Sequence, residues 1–143
     1  MKIVLDTNVL VSALLSAFGP SARVLDLLLA GEVRLVYDDR ILAEYRQVLA
    51  RPKFRFDPQA VKDLLAYLTA EGEFVVARPF DFAQGDVPDP ADLPFLEVAA
   101  HAGAMLVTGN RRHFPEADCG SVQVLSPAEF LVWWQEHAAE SHP

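Results

Sequence analysis

Five short aliphatic runs set the limits of what this chain can fold into. They are KIVLD at 2–6, VRLVY at 33–37, FVV at 74–76, AMLVT at 104–108 and VQVL at 122–125. Each is the length of a strand and too short for a helix, and the first reads as buried on both faces. Between them lie stretches with helical spacing, at 9–17, 21–30, 39–50, 58 to about 70, 95–102 and 127 to about 138. Their ends carry local signals. Gly19-Pro20 breaks the first two apart and Arg51-Pro52 stops the third. Asp57-Pro58 supplies a cap and a first-turn proline, and Gly103 is placed to close a helix. Ser126-Pro127-Ala128-Glu129 has the form of a capping box. Pro79, Gly85, Pro88, Pro90 and Pro94 predict an irregular loop over 79–94. Strands alternating with helices predict an α/β fold with a mainly parallel sheet.

The length, 143 residues, fits one domain over 1–143 and is enough to bury a core without staples. One cysteine, Cys119, allows no internal disulfide. No signal peptide is evident, and no apolar run reaches the ~18 residues of a membrane span, so a cytoplasmic protein without a membrane partner is expected. The net charge of −8 is unevenly spread: residues 1–62 carry +2 and residues 63–143 carry −10. Such a balance disfavours tight, metal-free binding of nucleic acid. It leaves room for an acidic site that meets phosphate through a metal ion.

In parallel sheets, ligands bind beyond the carboxyl ends of the strands. Asp6 ends the first strand, and Thr108-Gly109-Asn110 follows a later one. A buried carboxylate must be offset by hydrogen bonds, a counter-charge or a metal. Other acids also interrupt apolar patterns. Glu44 lies between Ile41 and Val48 on its helix, where a wet boundary position would also account for it. Asp89 and Asp92 stand at a helix entry. Capping explains Asp89 well, whereas Asp92, next to FLEVAA, is the better functional candidate. Asp6, Glu44 and Asp92 together have the composition of a site for a hard cation, Mg²⁺ or Mn²⁺.

The segments KIVLDTNVLVSALL, ILAEYRQVLARPKF, DPADLPFLEVAAHAGAMLVTGNRRHFP and VQVLSPAEFL, in this order, resemble the PIN-domain family, especially its bacterial branch of toxin–antitoxin toxins. The likeness spans about residues 2–132. It implies a three-layer α/β/α sandwich and a metal-dependent endoribonuclease that hydrolyses RNA phosphodiesters. Asp6, Glu44 and Asp92 take the places of the family's first three acids. Many relatives carry a fourth acid where this chain has Asn110. An amide there brings no charge, which bears on how tightly metal is held and whether one ion or two bind. Thr7, Asn8 and Thr108 would support the acids or the phosphate by hydrogen bonds. The resemblance also implies an antitoxin partner and pairing into a homodimer, since relatives commonly pair.

The main alternative is a PIN-like module that binds RNA or protein with weakened catalysis, as Asn110 suggests. A phosphatase of the haloacid dehalogenase class also begins with an Asp after a strand, but needs a second Asp where this chain has Asn8. Arg51, Lys53 and Arg55 interleave with Phe54 and Phe56, one turn after Arg46, and are candidates for contact with RNA or a partner. A charge run of this kind is usually just a solvated face. Arg111, Arg112 and His113 follow Asn110 and are candidates for the rim of the site. Trp133 and Trp134 face different ways on the last helix, so one of them is a candidate for an interface.

Overall fold

The computed structural model describes residues 1–78, 89–115 and 120–141. Five strands form one parallel sheet in the order β3-β2-β1-β4-β5. They are β1 (Lys2–Leu5), β2 (Arg34–Tyr37), β3 (Glu73–Phe74), β4 (Met105–Val107) and β5 (Val124–Leu125). The helices between and after them are α1 (Thr7–Leu15), α2 (Pro20–Leu29), α3 (Asp39–Leu49), α4 (Pro58–Glu71), α5 (Leu93–Ala102) and α6 (Pro127–Ser141). The chain walks outward from β1 to β3, then returns to the other side of β1 through α5. Right-handed crossovers therefore place α5 on the face opposite α1, α2 and α4. The packing agrees: α2 meets α4 and α6, while α5 lies on β1, β2 and β4.

The central strand is buried on both faces, with Ile3, Val4 and Leu5 wholly covered. Ile3 stands between Leu35 of β2 and Met105 of β4. Helix ends follow the local signals. The Ile41 N–H donates to Asp38 Oδ1 (2.9 Å), capping α3, and the Gln59 N–H donates to Asp57 Oδ1 (3.2 Å) at the start of α4. At α6 the Glu129 N–H donates to Ser126 Oγ (3.1 Å), and the Ser126 N–H donates to Glu129 Oε1 (2.9 Å). Gly103 ends α5 in the left-handed region, at φ +63°. Gly72 joins α4 to β3 where the backbone is crowded. A Cβ there would lie 2.6 Å from the carbonyl oxygens of both Leu35 and Leu68.

Several boundaries differ from expectation. Helix α1 starts at Thr7 rather than residue 9, because Asp6 takes the extended cap position and its carbonyl accepts from the Val9 N–H (3.0 Å). The loop expected over 79–94 does not extend to its end. A 3₁₀ turn covers Pro90–Asp92 and α5 begins at Leu93. Pro90 and Pro94 sit in first turns, where no backbone N–H is needed. Strand β3 ends at Phe74, although the Val75 N–H still donates to the Tyr37 carbonyl (2.9 Å). Trp133 and Trp134 are both half-buried. Trp133 stacks between Phe130 and His137, and Trp134 lies in a shallow groove beside Leu27 of α2. Pro79, Gly85, Pro88 and Cys119 lie outside the described residues. Among the described residues, no single helix is long and apolar enough to cross a membrane.

Candidate functional site

Strand order reverses at β1, whose neighbours are β2 and β4. Such a switch point opens a crevice beyond the strand ends. Asp6 follows β1 there, Thr108 follows β4, and Asp38 follows β2. All three are buried.

The β1 and β4 ends are cross-tied. The Asp6 N–H donates to the Val107 carbonyl (2.9 Å), and Thr108 Oγ1 donates to Asp6 Oδ2 (2.7 Å). The Asn110 N–H donates to the same Thr108 hydroxyl (3.1 Å), and the Gly109 N–H donates to Asn8 Oδ1 (3.1 Å). Asn8 thus holds the loop after β4, and Thr108 holds the Asp6 carboxylate. Thr7, in the first turn of α1, donates from Oγ1 to Glu44 Oε2 on α3. The Tyr45 hydroxyl, next in sequence to Glu44, donates to the Leu5 carbonyl (2.5 Å) and fixes α3 against the end of β1.

Asp6 and Asp92 both feel the charge of Glu44. Burial raises the Asp6 pKa above the usual carboxylate range; the Thr108 hydrogen bond opposes this and the Glu44 charge adds to it. Burial, then the Asp6 charge, push Asp92 up to about 6, with smaller contributions from Asp89 and Glu44 and an opposing one from His113. Burial, reinforced by Asp6, Glu44 and Asp38, holds the Tyr45 hydroxyl well above its ordinary value. Tyr45 therefore stays a neutral donor. Asp92 Oδ2 is buried and makes no hydrogen bond, with His113 Nδ1 3.4 Å away. Asp89 serves as a cap, accepting from the Ala91 N–H (2.9 Å).

Among the described residues, no three His, Cys, Asp or Glu side chains already close around a point as a cage for an ion. The donor set nonetheless suits a hard divalent cation. It is made of oxygens, its carboxyls repel one another, and one buried oxygen has no hydrogen-bond partner. A cation among Asp6, Glu44 and Asp92 would offset that repulsion, polarise a phosphate and lower the pKa of a water.

The basic candidates lie elsewhere or are engaged. Arg111 forks onto Glu129 of α6 (3.0 and 3.2 Å), and Arg112 is exposed. Arg51, Lys53 and Arg55 are exposed in the connection from α3 to α4, with Lys53 over the Phe54 ring and Phe54 stacked on Phe56. That connection borders an apolar groove of about 490 Å³ between α3 and α4, lined by Leu49, Phe56, Val61 and Leu65 with Arg46 and Lys62 beside them. None of the acids lines it.

Two buried acids carry no sequence signal taken up above: Asp38 and Glu97, both bound to Arg40. Asp38 repeats the strand-end placement of Asp6, which is the clue that could have found it. Glu97 sits inside an apolar helix, and its partner Arg40 lies 57 positions away.

A family model for the PIN domain matches residues 2–112. No curated protein matches the sequence. Among solved structures, the crystal structure of VapBC2 from Rickettsia felis, bound to a DNA fragment from their promoter, contains a similar chain. The TM-score is 0.62 at 19% identity, covering 88% of this chain and 98% of that one.

Proposed function

The chain belongs to the PIN-domain family, and on that premise we propose that it is an endoribonuclease that hydrolyses RNA phosphodiesters with Mg²⁺ or Mn²⁺. What supports this reading is the charge coupling of Asp6 and Asp92 to each other and to Glu44 near the sheet's switch point, with Asp92 Oδ2 buried and lacking a hydrogen bond. These three side chains would hold the ion. When bound, it supplies Lewis acidity toward the phosphate and an activated water for in-line attack. The chain's own work is orientation. Thr108 fixes Asp6 through Oδ2, Thr7 fixes Glu44, and Tyr45 seats the helix that carries Glu44.

The likeness to a chain in a VapBC2 structure supports a further proposal, that this chain is the toxin of a toxin–antitoxin pair. Asn110 favours a second reading, a PIN-like module with weakened catalysis, because its amide leaves the site one charge short of many relatives. Cleavage of single-stranded RNA with and without Mn²⁺ separates the two. The expected result is Mn²⁺-dependent cleavage that falls at least about a hundredfold in Asp6→Asn, while circular dichroism stays native. Cleavage by Asp6→Asn at the wild-type rate overturns the assignment, and no cleavage by the wild type at any Mn²⁺ concentration favours the second reading.

A further inference from the structure

Arg40 joins two carboxylates from different elements. Its Nε and Nη2 each lie 2.8 Å from Asp38 Oδ2, and its Nη1 lies 2.7 Å from Glu97 Oε1. Both acceptor side chains are almost fully covered, at 8% and 10% exposure, while Arg40 is about half exposed. Asp38 also caps α3 through its other oxygen. Glu97 lies on α5, five residues beyond Asp92. The fork therefore straps the start of α3, which carries Glu44, to α5, whose N-cap residue is Asp92. It does so without a hydrogen bond or ion pair to either of those acids.

We propose that Arg40 is a positioning residue for the metal site, setting the separation of Glu44 from Asp92 by tying their helices together. The inference rests on the metal-dependent reading above. A planar guanidinium suits this task, because it meets two carboxylates in a fixed fork and stays charged at any relevant pH. The competing role is charge balance alone, since Asp38 and Glu97 would be costly to bury without a cation.

The two roles differ in sign. Removing the Arg40 charge makes the neighbourhood more negative, which on electrostatics alone draws a divalent cation more tightly. Losing the strap lets α3 and α5 part and weakens cation binding, on the scale of about tenfold or more seen when groups that orient metal ligands are lost. Mn²⁺ alone is titrated by calorimetry into wild type, Arg40→Met, Arg40→Lys and Asp6→Asn, each well below its melting temperature. The strap predicts a dissociation constant raised about tenfold in Arg40→Met. It predicts a smaller rise in Arg40→Lys, which keeps the charge and loses the fork. Affinity that is equal or tighter in Arg40→Met overturns the proposal. If Arg40→Met does not fold, wild-type affinity in Arg40→Lys overturns it instead. Wild type that binds no Mn²⁺ overturns the metal reading itself. Wild-type binding lost in Asp6→Asn but unchanged in the Arg40 variants leaves that reading standing and removes only the strap.

Discussion

At the scale of single residues, the fold keeps acids in places that cost it stability. Asp6 is held by a hydroxyl and by its place at the start of α1, yet burial and the Glu44 charge still favour its protonated form. Asp92, at about 6, goes further. A carboxyl raised in the folded state above its unfolded value of about 3.9 contributes stability below the lower figure. That contribution is lost as pH rises through the higher one. The contribution of Asp92 to the metal-free protein therefore falls between about pH 4 and about pH 6, and that of Asp6 falls in the same direction as pH rises. A divalent cation must displace the proton from Asp92 in that window. Mn²⁺ should accordingly raise the melting temperature more at about pH 7 than at about pH 5. Equal increments in melts at the two values would place Asp92 outside the ion's reach. The strand-end position of Asp6 was legible in five residues of sequence. The hydroxyl that holds it lies 102 positions away, and no local pattern could pair the two.

Elements were legible where their signals are local. The caps of α4 and α6 and the glycine after α5 act over two to four residues, and all lie where short-range rules put them. Proline misled over 90–94, because the same ring that breaks a helix interior is tolerated in a first turn. The Asp38–Arg40–Glu97 strap was not legible, since nothing about Glu97 alone distinguishes a paired buried acid from a wet one. The junction from α4 to β3 shows another dependence that only packing reveals. Gly72→Ala places a methyl against two backbone carbonyls that cannot move aside, so it should cost about 1–3 kcal/mol in urea unfolding. Gly31→Ala serves as the comparison. There the space is open and only the left-handed backbone resists, which predicts a loss nearer 1 kcal/mol. A Gly72→Ala loss no larger than that of Gly31→Ala would show that the junction relaxes.

On the scale of the whole molecule, charge is divided by position along the chain. An acidic site on a protein of net charge −8 repels a phosphate backbone unless cations elsewhere compensate. Arg51, Lys53 and Arg55 are exposed at one corner, and on the proposed RNA cleavage they would guide substrate. Replacing all three with Ala should then raise the Michaelis constant for RNA more than it lowers turnover. It should also flatten the salt dependence of binding by roughly one unit of slope for each lost phosphate contact. Unchanged kinetics at two salt concentrations would mark the cluster as a solvated face. Loss of partner binding with cleavage unaltered would assign it to a protein interface.

The tie between Asp6 and Thr108 bears on how such a chain is made. The residue that orients the first acid is among the last third to be synthesised, and β4 must settle beside β1 before the two can meet. A ribosome releases the amino terminus long before that, so a growing or prematurely ended chain carries Asp6 and Glu44 without the hydroxyl that aims Asp6. Any hydrolytic power the finished fold possesses is thus withheld from its fragments. On the proposed RNA cleavage, a cell making this protein would meet that activity only once translation has passed β4.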